Sequence, residues 1–316
     1  MQNKNKPFVI FLIGPTAAGK TDFLFSIYKY LSIDVISVDS ALIYKNMDIG
    51  TAKPTHHQLE IIPHKLINIK DPSENYSIFE FKKDVMIEIN SIIKSGRIPF
   101  LVGGTMLYYH ILIYGLHFLP SKSESFRKKI YNFIKKNNRS NIIHSFLKKV
   151  DPISADNIHV NDHIRLVRCL EIYFLTGNPA SILKKKKCIF PYRIIQFGLV
   201  TMNRELSYRN ITNRFEQMLK LGFEEEVFKL FQRKDLGIHL PSIRSVGYFQ
   251  MWKYLNGEIN YFEMKNQAIY ATCHLFKKQM TWLRNWKNIN FLSSENKNLS
   301  VKTILTILYK LNKNLN

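Results

Sequence analysis

Cysteine is scarce in this 316-residue chain: Cys169, Cys188 and Cys273 are scattered, with no C-x-x-C pair. That argues against a disulfide framework or a zinc finger and for a reducing compartment, the cytoplasm. Long apolar runs are missing too; none could cross a bilayer, so no membrane association is expected. Residues 1–7 carry no apolar run ahead of the first strand, and no signal peptide is expected. Acidic residues are few: 24 Asp and Glu stand against 46 Lys and Arg, a formal net charge of +22. An excess of this size suits a polyanionic partner such as nucleic acid. The chain is also rich in Lys, Asn and Ile, so part of that charge is read as solvated surface composition.

What is present begins with an apolar run, Phe8 to Ile13, that ends in Gly14-Pro15-Thr16-Ala17-Ala18-Gly19-Lys20-Thr21. This has the G-x-x-x-x-G-K-[ST] spacing of a phosphate loop. Glycines let successive N–H groups turn into one hollow, Lys20 adds a charge, and the following helix adds its positive end. Thr21 supplies a hydroxyl for a magnesium ion. Residues 22–31 read as an amphipathic helix, so strand, loop and helix are all in place. Such a loop holds a diphosphate or triphosphate without saying whose.

The first 120 residues alternate strands with helices. Val35 to Val38 ends at Asp39-Ser40, a helix covers Ile78 to Lys94, and Ile98 to Val102 stops at Gly103-Gly104-Thr105. This rhythm predicts an α/β fold: a P-loop NTPase-like parallel sheet flanked by helices, with its site beyond the carboxyl ends of the strands. From about residue 121 helix follows helix, until a strand-like run resumes at Ile194 to Val200. Long helices are then expected at Arg204 to Gln232 and Phe262 to Trp286. The expected domains are a first core part at 1–120, an all-α insertion at 121–188 that contacts RNA, and a second core part with C-terminal helices at 189–316. Lys184 to Lys187 is read as the return linker.

Asp39 is ambiguous from position alone. A carboxylate at a strand end facing a phosphate loop suits either a magnesium ligand of the Walker-B kind or a general base. The segments around it carry a resemblance. Gly14 to Thr21, Asp39 to Tyr44, Met47 to Pro54 and Val102 to Tyr108 together resemble the tRNA dimethylallyltransferases, the isopentenyl-tRNA transferase (IPP transferase) family. Similar segments recur at Asn161-Asp162 through Glu171, Arg214-Phe215, Gly222-Phe223, Leu240 to Tyr248 and Lys278 to Arg284, so the likeness runs to about residue 286. The C-terminal zinc-finger extension of some members is not expected, since no cysteine pair marks one.

The resemblance implies transfer of a dimethylallyl group from dimethylallyl diphosphate to N6 of the adenine immediately 3′ of a tRNA anticodon. It assigns Asp39 as the general base, with Lys20, Thr105 and Arg214 on the diphosphate and magnesium beside Thr21. As isolated residues, Thr105 reads equally as a turn residue and Arg214 as a solvated helix charge. Candidate tRNA contacts are Asp39, Ser40, Ala41, Leu42 and Thr105, then Arg127 and Ile164-Arg165-Leu166-Val167-Arg168. They continue at Arg244-Ser245-Val246-Gly247-Tyr248-Phe249 and Lys277-Lys278-Gln279-Met280-Thr281-Trp282-Leu283-Arg284. Arg165 and Arg168 lie three apart on a helix and share a face. Trp282 and Trp286, at helical spacing, are read as core, and Lys277, Lys278 and Arg284 as RNA-facing. The partners expected are the tRNA anticodon stem-loop and dimethylallyl diphosphate, with the enzyme a monomer. A small-molecule P-loop kinase using ATP is the alternative, and a basic RNA-binding ATPase a third reading.

Overall fold

A computed structural model describes residues 7–115, 119–120, 123–137, 140–183, 190–201 and 203–313. Cys188 and the Lys184–Lys187 segment lie outside these residues. In chain order the elements are β1 (Phe8–Ile13), α1 (Lys20–Tyr28), β2 (Ile33–Val38), α2 (His56–Ile61), β3 (His64–Lys65), α3 (Ile78–Lys94), β4 (Ile98–Gly103) and α4 (Met106–Tyr114). A helical stretch follows with α5 (Glu124–Asn137), α6 (Ser140–Val150), α7 (Pro152–Asp156), α8 (His163–Thr176) and α9 (Ala180–Leu183). The chain continues through β5 (Arg193–Val200), α10 (Arg204–Lys220), α11 (Phe223–Phe231), α12 (Tyr248–Leu255), α13 (Tyr261–Arg284), β6 (Asn290–Ser293) and α14 (Lys297–Lys313). Two compact units result: Met1–Tyr109 with Pro191–Asn316, and His110–Phe190.

The first unit is built on a six-stranded sheet of order β3-β2-β4-β1-β5-β6 in which every pairing is parallel. The parallel sheet expected from the βαβ rhythm is thus present. Strands buried on both faces read as continuous apolar runs, which is why β1 needs no alternation. Successive residues point to opposite faces. Ile10 and Leu12 pack with Phe23, Leu24 and Ile27 of α1 and with Val301, Ile304 and Leu308 of α14. Phe11 turns the other way, its ring 5.1 Å from that of Tyr109 on α4. Each fully buried Ile, Leu or Phe contributes about 1.5–3 kcal/mol of transfer free energy.

The C-terminal helices form a second core with the segment after β2: Ile43, Tyr44 and Met47 pack with Phe215, Phe223, Tyr248 and Met264. The single helix expected over Arg204 to Gln232 is two. Leu221 ends the first, and Gly222 takes φ +95°, a left-handed conformation open to glycine at little cost, to begin the second.

The second unit has its own core of Ile143, Leu147, Leu166, Leu170 and Ile172. At its centre Glu171, fully buried, accepts from Ser123 N at 2.6 Å, Arg127 Nε at 2.9 Å and Arg127 Nη2 at 2.8 Å, and also pairs with Arg168. Burial alone would raise its pKa; the two guanidiniums and the Ser123 N–H outweigh burial and hold it down at about 2.

Candidate active site

The parallel strands of the first unit all end on one side, and three of those ends are stitched together there. Gly14 N donates to Gly103 O at 3.2 Å, joining the ends of β1 and β4. Thr105 N donates to Val38 O at 3.2 Å, and Ser40 N donates to Thr105 Oγ1 at 3.1 Å, joining β4 to β2. Thr105 is therefore a joint between strands as well as a polar group on the site.

The loop after β1 is shaped for an anion. Ala17 and Gly19 take positive φ, 59° and 73°, and the intervening reversals turn N–H groups toward a common side. The first turn of α1 has no side-chain cap, so its N–H groups and its positive dipole end are left to a ligand. Lys20 Nζ lies across the loop, donating to Gly14 O at 3.0 Å and Pro15 O at 2.7 Å. Burial pushes its pKa down to about 8; Asp39 opposes this and Arg214 adds to it. Arg214 is likewise lowered by burial and raised by Asp39. One carboxylate and two desolvated cations thus share the site. Asp39 is oriented by its own turn, its Oδ1 accepting Ala41 N at 2.9 Å.

These groups line a cavity of about 1020 Å³. Its polar wall is Thr16 to Thr21, Asp39, Ser40, Gly104, Thr105 and Arg214. The lining also includes Ile211, Phe215, Met218, Leu275 and Trp282, an apolar surface for a small hydrocarbon chain or a base. Among the described residues no group of three His, Cys, Asp or Glu is placed to hold a metal alone.

The remaining sequence candidates divide. Ala41, Leu42, Arg244, Ser245, Val246, Gly247, Lys278 and Trp282 line the cavity. Trp282 is 38% exposed, so its expected core position is corrected: Leu283 is the residue of that turn that points inward. Trp286 is anchored, its Nε1 donating to Gln196 Oε1 at 2.8 Å. Tyr248 is fully buried and donates to Glu226 Oε1 at 2.6 Å, and Gln279 is bonded inside the first unit. Phe249 is half-buried under Lys253, and Arg284 is exposed. Lys277 is exposed, its Nζ 5.9 Å from the Tyr208 ring centroid. In the second unit Leu166 and Val167 are core, and Arg127 and Arg168 are committed to Glu171. Ile164 and Arg165 are exposed, Arg165 lying 3.3 Å from Asp162.

Several lining or supporting residues carried no role in the sequence reading. Gly50, Thr51 and Ala52 form part of the rim. Glu226 holds that segment, accepting Asp48 N and Ile49 N at 2.8 Å and Gly50 N at 3.1 Å. In the run Glu224-Glu225-Glu226 it looks like a solvated helix face. The local signal in this stretch is Gly50, where a Cβ would stand 2.1 Å from the Phe223 ring.

Comparison with known proteins agrees with this arrangement. The IPP transferase family model matches residues 42–286. A protein of Buchnera aphidicola named tRNA dimethylallyltransferase is 50% identical over 309 residues, 97% of each chain. One of Blochmanniella floridana with the same name is 46% identical over 314 residues, 98% of this chain and 97% of its own. Among solved structures, a full-length tRNA isopentenylpyrophosphate transferase from Bacillus halodurans is 33% identical, with a TM-score of 0.72 and 98% of both chains covered. A eukaryotic dimethylallyltransferase acting on tRNA is 25% identical with a TM-score of 0.75, covering 91% of this chain and 74% of its own. The kinase alternative is not favoured by any of these. With its phosphate loop, strand-end carboxylate and flanking helices, the chain belongs to the IPP transferase family.

Proposed function

We propose that the protein transfers the dimethylallyl group of dimethylallyl diphosphate to N6 of the adenine immediately 3′ of the anticodon in tRNA, in the cytoplasm and as a monomer. The observation that carries this reading is the meeting of Asp39 with Lys20 and Arg214 in a cavity whose lining takes in an uncapped helix end and several apolar side chains. The exocyclic amine is a poor nucleophile, because its lone pair is delocalised into the ring. Its proton must leave as the N–C bond forms. Asp39 accepts that proton. On the far side of the carbon the C–O bond breaks and the electron pair leaves with diphosphate. The loop N–H groups, Lys20 and Arg214 stabilise that growing charge, and Thr105 adds a hydroxyl.

Thr21 lines the same cavity, and a magnesium ion keeps few protein ligands when phosphate oxygens are present. Thr21 would hold it together with the diphosphate, and bound there it would supply charge neutralisation of the leaving group. The apolar wall of Ile211, Met218 and Leu275 suits the prenyl chain. Anticodon-loop bases splay out at modest cost, which lets the adenine enter such a cavity. Ser40, Arg244, Lys278 and Trp282 line the cavity as RNA contacts, with Lys277 and Arg284 as exposed cations of the same unit for phosphates; Arg165 is an exposed cation of the second unit.

The test is direct. The protein is incubated with dimethylallyl diphosphate, unmodified tRNA carrying that adenine, and ATP. Mass spectrometry should find the prenylated nucleoside while ATP is left intact. Consumption of ATP without a prenylated product would sink the reading.

A further inference from the structure

Gln279 sits in a cationic stretch of α13, between Lys277, Lys278 and Arg284, yet its side chain turns away from solvent and is 8% exposed. Its Oε1 accepts Thr16 N at 2.8 Å, and its Nε2 donates to Gly104 O at 2.9 Å. One planar amide therefore bonds the phosphate loop and the end of β4 at once. Gly104 is shaped to receive it. A Cβ there would stand 2.8 Å from Gln279 Nε2 and 3.2 Å from Gly14 O, so a side chain would displace either the amide or the loop. That same Cβ position is 3.8 Å from Lys20 Nζ, which places the amide beside the cation that closes the loop. At neutral pH, where a carboxyl is ionised and only accepts, an amide offers the donor and the acceptor side by side in one plane.

We propose that Gln279 is a positioning residue of the diphosphate site. By taking up Thr16 N–H it fixes where the loop begins, and by holding Gly104 it fixes the strand end that faces Lys20. The N–H groups after Thr16 are then set toward the anion before it arrives, and binding does not have to order them. The group lies in the cavity wall with both ends of its amide bonded to Thr16 and Gly104, and it acts through them. This inference rests on reading the cavity as a diphosphate site.

Isothermal titration of the full chain with inorganic diphosphate and with dimethylallyl diphosphate tests it, using wild type, Gln279→Leu and Gln279→Glu. Leucine removes both hydrogen bonds; glutamate keeps the acceptor, loses the donor and adds a charge beside the loop. Both variants should bind either ligand about tenfold or more weakly. Their tRNA affinity should stay within about twofold of wild type and their melting temperatures close to it. In Gln279→Glu the deficit relative to wild type should narrow as pH falls and the carboxyl protonates, because the neutral acid again offers a donor and an acceptor.

Unchanged diphosphate affinity in Gln279→Leu overturns the proposal. So does a parallel loss of diphosphate affinity, tRNA affinity and melting temperature, which would make Gln279 a packing residue. Loss of tRNA affinity alone would make it an RNA contact. Wild-type protein that binds no diphosphate overturns the cavity reading itself and the role of Gln279 with it.

Discussion

Lys20 is charged at neutral pH only against the cost of its burial, and this fixes how the site responds to pH. Its pKa lies at about 8 instead of 10.5, with burial as the main cause. An arriving diphosphate favours the protonated form. Affinity for dimethylallyl diphosphate should therefore fall as pH rises through about 8, and binding above that pH should take up a proton. Titration calorimetry in buffers of different ionisation enthalpy reads that proton. The sign for folding is the reverse. The unfolded chain holds this proton more tightly, so the burial penalty is fully present below pH 8 and is relieved between about 8 and 10.5. Lys20→Met should consequently lose at least about 10²-fold in turnover, as removal of a transition-state donor does. Its melting temperature at pH 7 should be no lower than that of wild type, because the burial penalty leaves with the charge.

Glu171 ties α8 to the start of α5 through two arginines, and its removal tests an element and not a reaction. Glu171→Gln leaves Arg127 and Arg168 without a carboxylate, at a cost of about 3–5 kcal/mol to the second unit. Because the folded-state pKa is depressed, the pair's contribution is complete above pH 4.5 and lost as pH falls toward 2. The gap in thermal stability between wild type and variant should close over that window. Elements of this kind differ in how far they could be read from the chain. β1, α3, β4 and β5 stand out because their apolar runs or periods are long, and the predicted bounds of α3 coincide with Ile78–Lys94. β3 has two residues and β6 four, too short for any pattern, and both owe their strand form to a neighbour already in the sheet. The α10–α11 break was hidden because one glycine within an amphipathic stretch is tolerated in many helices.

At the scale of the whole molecule, the phosphate loop and Asp39 were legible because their chemistry lies in a few adjacent residues. The supports of the site were not. Gln279 meets Thr16 across 263 positions, and Glu226 meets Asp48 across 178, so nothing local distinguishes an amide or a carboxylate with a buried partner from one in solvent. The +22 charge is a property of the whole chain as well. If it serves RNA, tRNA affinity should fall steeply with salt, with a log–log slope of roughly −0.7 to −0.9 for each phosphate contact. A flat response would mark most of the lysines as surface composition. The central claim is that Asp39 takes the amine proton while the loop and its cations receive the diphosphate. Single-turnover transfer on pre-bound tRNA, comparing wild type with Asp39→Ala, tests this most directly. The account predicts a rate lower by about 10²–10⁴ with tRNA affinity nearly unchanged. A large loss of tRNA binding with transfer proceeding at the wild-type rate would contradict it.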